Sequence, residues 1–141
     1  MNEQRNLLAE EGMLAVEKEI VENKERVTFL LEEGEYLDTD GYPLDAALEI
    51  IEKWHWNDIP GWFKFIEDIW YLHTWGWATK LEQHDYLKDK QVRRYHISTA
   101  GWSGNESIIT AMQQNSMLWS LTWVQSRRGG HYIFELKEFE E

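Results

Sequence analysis

The sequence contains no cysteine among its 141 residues and only two prolines. The lack of cysteine excludes a disulfide framework, a thiolate metal site and a thiol nucleophile. The chain also lacks an apolar run long enough to span a membrane, and its first residues are charged and acidic, unlike a signal peptide. We therefore expect a cytoplasmic protein.

Basic residues are scarce in the first half of the chain. Residues 1–70 carry 18 acidic and six basic side chains, a net charge of −12, whereas residues 71–141 carry eight of each. An electrostatic field of this sign repels nucleic acid and anionic membranes and attracts basic partners. A solvated acidic surface that only aids solubility would give the same composition.

A long acidic helix is predicted at the N-terminus. Residues 2–33 have apolar side chains at helical spacing, and Gly34 follows where glycine typically ends a helix. About 32 residues form a helix roughly 48 Å long, which is longer than the remaining chain is wide. The sequence therefore predicts an acidic helix over residues 1–34, part of which projects from a globular domain over residues 35–141.

This helix carries a stripe of the kind found in coiled coils. The stripe consists of Met13, Val16, Ile20, Asn23, Val27 and Leu30. It leaves two arrangements open. The helix could form a homodimer through residues 13–31, or it could bend or break near Gly12 and pack on its own domain.

The globular domain begins with helices and continues with strands. Apolar spacing predicts helices over about residues 43–54 and from Pro60 to about Trp70. Alternating patterns predict strands over about residues 76–81, 91–99, 117–125 and 131–136.

Two local signals organise the second half of the chain. The glycines at 129–130 predict a tight hairpin that pairs Trp123 with Phe134 and Leu121 with Leu136. Between the middle strands, the residues at 103–106 match a capping box that opens a short helix ending near residue 115. The predicted fold is α+β, with a helical half followed by a small antiparallel sheet that carries one crossover helix.

Two blocks of sequence resemble a family of small phage and prophage proteins. The blocks are YHISTAGWSGNESII at residues 95–109 and WVQSRRGGHYIFE at residues 123–135, and weaker likeness extends the match to about residues 40–136. The acidic helix lies outside it. The resemblance implies no catalytic activity. Because phage accessory proteins of this size often inhibit a host component, including host defence, it implies an inhibitor in the cytoplasm of the infected cell.

No residue pattern typical of a catalytic or metal centre is present. The five histidines have no partner three to five residues away, so neither a metal nor a cofactor is predicted. Ser103 lies between a predicted strand and helix, but a nucleophile elbow needs glycine where Asn105 stands. We interpret Ser103 as a helix cap, and His96 and His131 as structural residues. No catalytic residue is predicted, and the sequence favours a protein that is not an enzyme.

The main functional prediction is a binding protein whose acidic half docks on a basic partner protein, such as one that handles nucleic acid. Glutamates of the first helix would supply the charge: Glu10, Glu11, Glu17, Glu19, Glu22, Glu25, Glu32 and Glu33. Trp56 and Trp62, near predicted loops, would supply aromatic anchors.

An alternative is a small-molecule site for a phosphorylated ligand or nucleotide. The start of the predicted helix offers free backbone N–H groups, and two arginines lie on the hairpin turn. The residues of this alternative site are Trp102, Ser103, Gly104, Asn105, Arg127, Arg128 and His131.

Overall fold

The chain has an α+β fold. The structure, a computed structural model, describes the backbone of residues 2–136. It also describes the side chains of residues 14–136 and the exposure of Gly12. The helices in this part of the chain are α1 (Asn2–Glu33), α2 (Asp45–Lys53), α3 (Ile59–Ile69), α4 (His73–Gly76), α5 (Ser103–Gln114) and α6 (Ser116–Thr122). The strands are β1 (Trp77–Gln83), β2 (Gln91–Ser98), β3 (Trp123–Arg127) and β4 (His131–Leu136).

The four strands form one antiparallel sheet in the order β1-β2-β4-β3. The predicted hairpin between β3 and β4 is confirmed, because Gly129 and Gly130 both have the positive φ that a tight turn requires (90° and 78°). Trp123 pairs with Phe134 as expected. The crossover helix α5 lies between β2 and β3, as predicted.

The helices cover one face of the sheet, and Phe63 of α3 lies at the centre of this contact. Its ring stacks on Tyr95 of β2 with 4.1 Å between centroids, and it approaches Phe134 of β4 at 5.5 Å. The predicted apolar stripe of α3 explains the arrangement, since Phe63, Ile66 and Ile69 are all buried.

Helices α2 and α5 pack side by side and run in the same direction. At one end, the Asn115 amide nitrogen donates to the carbonyl of Ile51, in the last turn of α2, and to that of Trp54, which directly follows the helix (both 3.0 Å). At the other end, Tyr42, just before α2, contacts Trp102, just before α5, with 4.6 Å between ring centroids. The two ends of this helix pair are therefore about 18 Å apart, the length of a 12-residue helix.

Among the described side chains of helix α1, the buried ones lie in its C-terminal half. Val27 and Leu30 are buried in the same core as α2 and α3, whereas all described side chains from Leu14 to Glu19 are exposed. The helix ends at Glu33 before Gly34 (φ 71°), as predicted, and it continues through Gly12 without a break. The core therefore extends across the domain boundary proposed at residue 34.

The packing of α1 restricts the proposed homodimer. The part of the stripe that contains Val27 and Leu30 is covered by the chain itself, so these two side chains are not available to a second copy. Val16 remains exposed, and the side chain of Met13 lies outside the described residues. Pairing through the N-terminal part of the stripe stays a prediction.

The expected strand over residues 117–125 is wrong for its first six residues. Residues 116–122 form α6, and β3 begins only at Trp123. The side chain of Asn115 accepts a hydrogen bond from the Leu118 N–H (3.3 Å) and starts the helix. Leu118 and Thr122, one helical turn apart, are the buried residues, so Leu121 cannot pair with Leu136.

The capping box at the start of α5 is also wrong. Trp102 occupies the N-cap position, and no side chain caps the helix there. Ser103 is the first helical residue, and its carbonyl accepts from the Ser107 hydroxyl (3.0 Å). In the part of the chain that is described, no helix has both the length and the apolar composition needed to cross a bilayer.

Candidate functional site

The solvent-facing side of α1 is acidic. All glutamates of the predicted set whose side chains are described are exposed: Glu17, Glu19, Glu22, Glu25, Glu32 and Glu33. The side chains of Glu10 and Glu11 lie outside the described residues. Most of these glutamates lie opposite Val27 and Leu30 around the helix, because the buried stripe occupies the other side.

Two basic residues, Arg26 of α1 and Lys53 of α2, share one carboxylate. Glu49 of α2 accepts from the Arg26 Nε (2.7 Å) and from the Lys53 Nζ (2.8 Å). The hydrogen bonds from Arg26 and then Lys53 lower the pKa of Glu49 to about 2. The three side chains together keep one positive charge, so they offset only one unit of the negative charge of the surrounding glutamates.

A groove lies between α1, the loop after α2 and the junction of α5 and α6. Its volume is about 250 Å³. Its lining residues include Glu19 and Ile20 of α1, Glu52 of α2, Trp56 of the loop and Met117 of α6. The groove thus brings together Glu19 and Trp56, which are 37 positions apart in sequence and were both predicted to bind a partner.

Local interactions hold Trp56 at the rim of this groove. The Trp54 carbonyl accepts from Asn115, and the Trp54 indole N–H donates to the Asp58 carbonyl (2.9 Å), so both sides of the loop are fixed. The His55 ring lies 5.1 Å from the Trp56 ring. Trp56 is 50% exposed. Its ring is therefore presented to solvent by a fixed backbone.

Trp62, the second predicted anchor, cannot contact a partner in this fold. Its side chain is fully buried, and its indole N–H donates to the Ile51 carbonyl (3.0 Å). Asp58 caps α3 by accepting from the Gly61 N–H, which turns Trp62 inwards. The prediction placed Trp62 near a loop, but it lies in the first turn of a helix that faces the core.

Two residues of the alternative site at the start of α5 are buried. Gly104 is buried beneath the Trp102 ring, which a side chain at position 104 would overlap. Asn105 is fully buried, and its amide group bonds both the N–H and the carbonyl of Tyr71 (3.0 Å each). The fold itself thus uses both Gly104 and Asn105, and a role for them as ligand contacts stays a prediction.

The remaining residues of the alternative site lie near one another without forming a charged pocket among the described grooves. The hairpin turn contacts the loop before α5, because the Thr99 N–H donates to the Gly130 carbonyl (2.9 Å). Arg127, Arg128 and Ser103 are exposed. Burial, followed by the nearby charges of His96 and Arg127, lowers the pKa of His131. His131 therefore adds no positive charge at neutral pH.

His96 belongs to a set of ion pairs on the open face of the sheet. Its Nε2 lies 2.6 Å from the Glu82 carboxylate, which also accepts from Arg94 (3.1 Å). Arg94 additionally contacts Asp85 and Glu135. Burial raises the pKa of Glu82, but the hydrogen bonds from His96 and Arg94 outweigh it and lower this pKa overall. These contacts give His96 a structural partner.

One exposed aromatic cluster was not predicted. Tyr42, Tyr71 and Trp102 come from three separate loops, and Trp102 contacts both tyrosines, at 4.6 Å and 4.3 Å between ring centroids. Tyr42 is 40% exposed and Tyr71 is 43% exposed. The three rings are far apart in the sequence, and no spacing pattern predicts that they meet. The packing of α2 on α5 brings them together.

The described residues include no group of three or more His, Asp or Glu side chains placed to hold a metal ion. Comparison of the chain with protein-family models, curated proteins and solved structures finds no match. The resemblance to small phage proteins therefore stays an expectation, and the functional argument depends on the geometry of the surface.

Proposed function

We propose that the protein is a non-enzymatic binding protein that takes a basic, partly apolar segment of a partner protein into the groove beside α1. The observation that carries the proposal is the meeting of Glu19 and the exposed Trp56 in one groove. An acidic group beside a fixed aromatic ring fits a segment that combines cationic and apolar side chains.

The charge of the groove favours a basic partner. Glu19 and Glu52 line it and take part in none of the ion pairs of the described residues, whereas Lys53 is already bonded to Glu49. The exposed glutamates of α1 add to the same field over a longer range. Such a field raises the rate at which a basic partner associates.

The apolar residues of the groove favour a partner that also buries surface. Trp56 and Met117 are both exposed at its rim, and Ile20 is half-buried at its base. Tryptophan is among the residues that contribute most to binding energy at interfaces. A purely electrostatic contact would leave these side chains in water.

Proteins that handle nucleic acid are the partner class that this proposal favours. Their basic surfaces are built to take a polyanion, so an acidic surface with aromatic anchors can compete for them. An inhibitor of a host protein, active in the cytoplasm of an infected cell, is the form of this proposal that the resemblance to phage proteins supports.

A labelled peptide of alternating arginine and leucine, with a glutamine-and-leucine peptide as its neutral counterpart, tests the groove by fluorescence anisotropy. We expect binding of the basic peptide only, and a steep loss of affinity between 50 mM and 500 mM NaCl, because salt screens exposed charges. Affinity that does not change over this range contradicts the proposal.

Two pairs of variants separate the groove from the net charge. Glu19→Gln with Glu52→Gln removes two charges from the groove, and Glu32→Gln with Glu33→Gln removes two charges from the far end of α1. We expect about a tenfold loss of affinity for the first pair and about twofold for the second.

Trp56→Ala should weaken binding about tenfold, while Trp123→Ala, an exposed tryptophan outside the groove, serves as its control. Equal effects within either comparison would show that the groove is not the site.

A further inference from the structure

We infer that the cluster of Tyr42, Tyr71 and Trp102, here called the aromatic platform, is a second binding site and accepts an arginine or lysine side chain of a basic partner protein. It lies at the end of the α2–α5 pair opposite Asn115, about 18 Å from the end that borders the groove. The inference does not depend on binding in the groove.

The platform presents aromatic surface that the fold leaves uncovered. Trp102 is half-buried and contacts both tyrosines, while each tyrosine keeps about two-fifths of its surface in water. Leu72 and Trp75, which follow Tyr71 closely in sequence, are exposed as well. Exposed aromatic side chains that contact one another, as these rings do, are typical of interaction sites on proteins.

Several hydrogen bonds hold the platform in place. Tyr71 is fixed by the two bonds from its backbone to Asn105, and the Trp102 N–H donates to the Thr99 carbonyl (3.0 Å). Tyr42 is fixed because its N–H donates to the Asp38 carboxylate (2.9 Å). The rings are thus preorganised, which lowers the entropy cost of binding.

The backbone beside the platform is strained. Leu72 and Ala100 are the two described non-glycine residues with positive φ, at 59° and 55°, and each lies within two positions of a platform ring. A left-handed conformation of this kind is unfavourable for a residue that has a Cβ atom. The hydrogen bonds that fix the rings also hold these two residues in the left-handed conformation.

The charges around the platform select a cation. Asp38 and Asp40 lie in the turn that carries Tyr42, and Gly41 between them and the tyrosine packs near both the Tyr71 and Trp102 rings. Glu106 is exposed in the first turn of the helix that follows Trp102. A guanidinium or ammonium group attracted by these carboxylates would lie on an electron-rich ring face, which is the geometry of a cation–π contact.

NMR titration of the full-length ¹⁵N-labelled protein tests this assignment. The probe is Nα-acetyl-arginine methylamide, and the matched neutral probe is the citrulline compound, which has the same shape without the charge. The signal to follow is the Trp102 indole N–H, identified by its loss in Trp102→Phe. We expect the arginine probe to shift this signal and the citrulline probe to leave it in place.

Variants define the site. Asp40→Asn and Tyr71→Leu should each weaken the response about two- to fivefold, because each removes one part of an exposed cation contact. Tyr86→Leu, which alters a highly exposed tyrosine elsewhere, should leave the response unchanged. Trp56→Ala should also leave it unchanged, which separates this site from the groove. Melting curves of the variants establish that they are folded.

Three results would overturn the inference. The first is an equal shift with citrulline, which would mean that the platform does not recognise charge. The second is a larger shift with adenosine monophosphate than with arginine, which would indicate a nucleotide site. The third is an equal shift of the indole signals of all exposed tryptophans, which would indicate non-specific association.

Discussion

At the scale of single residues, the side chain of Asn115 connects α2, the loop after it and α6. Its amide nitrogen bonds the carbonyls of Ile51 and Trp54, and its oxygen accepts from the Leu118 N–H. Its backbone N–H also closes the last turn of α5. The residue therefore ends one helix, starts another and ties both to the loop that carries Trp56.

We predict that Asn115→Ala lowers the free energy of unfolding by about 2–4 kcal/mol. The change removes a helix cap, takes the donor from the Trp54 carbonyl and leaves the Ile51 carbonyl with the Trp62 indole N–H alone. Urea denaturation measures the effect. Gln114→Ala, at the exposed neighbouring position, should change stability by less than about 0.5 kcal/mol. A similar small effect at both positions would mean that the network around Asn115 does not form.

The ion pair at Glu49 predicts a pH dependence. Because the folded-state pKa of about 2 is below the ordinary value of 4.5, Glu49 contributes stability above pH 4.5, and this contribution is lost as the pH falls towards 2. Its carboxylate is only partly buried, so the contribution is about 1 kcal/mol or less.

Comparison of Glu49→Gln with the wild type by urea denaturation checks this. The difference in stability should be largest near pH 7 and shrink steadily below pH 4.5. Glu52→Gln is the control, because Glu52 lies in the same helix but is not bonded to Arg26 or Lys53. It should show little difference at any pH. A Glu49→Gln difference that stays constant down to pH 3 would contradict the assignment.

Single tryptophans show what sequence could and could not predict at this scale. Trp56 and Trp62 both follow α2 closely, and composition alone gave them the same role. Trp62 is buried because Asp58 and Pro60 start a helix whose apolar stripe also contains Phe63 and Ile66. Trp56 is exposed because it precedes that helix. The difference depends on the helix start, which the position of Pro60 already indicated.

At the scale of elements, α6 shows why alternation can mislead. Residues 117–124 alternate between two sets of large side chains, and such a short apolar run fits a strand or a buried helix equally well. The structure selects the helix because Asn115 caps it and because Leu118 and Thr122 lie one turn apart against the core. The asparagine that was expected to end α5 was also the start signal of α6.

The longer elements were predictable for a different reason. Helix α1 and strands β2 and β4 have patterns that continue over many residues, so one wrong position does not change the assignment. The groove could not be predicted in the same way. It depends on where α1 crosses α2, and that contact uses only the C-terminal half of a uniformly charged helix.

The docking of α1 gives a prediction that adjacent residues can test. Leu30→Ala should lower the free energy of unfolding by about 2–4 kcal/mol, because Leu30 is only 4% exposed in the core. Phe29→Ala should cost less than about 1 kcal/mol, because Phe29 is 49% exposed. Chemical denaturation measures both. Equal costs would mean that this half of α1 does not pack on α2.

At the scale of the whole molecule, charge is distributed unevenly between the two halves of the chain. The helical half carries the entire net charge of −12, and the half that forms the sheet is balanced. On the sheet face turned away from α3, Arg94 contacts three carboxylates, those of Glu82, Asp85 and Glu135. This division is a property of the sequence and does not depend on packing.

Salt should therefore stabilise the isolated protein while it weakens binding of a basic partner. Mutual repulsion among exposed glutamates is screened as the ionic strength rises. We expect the melting temperature to increase by roughly 3 °C between 10 mM and 200 mM NaCl. Differential scanning fluorimetry measures it. Glu22→Gln with Glu25→Gln should reduce this increase, and a melting temperature that falls with salt would contradict the explanation.

The position of β4 has a consequence for how the protein is made. Because β4 lies between β2 and β3 although it follows both in the chain, neither has its central neighbour until residue 136 has left the ribosome. Until then α3 presents Phe63 to a sheet that lacks Phe134, and two strand edges are open to other chains. The nascent chain is thus expected to pass through a stage that chaperones recognise, and a premature stop codon before position 131 would release a product prone to aggregation.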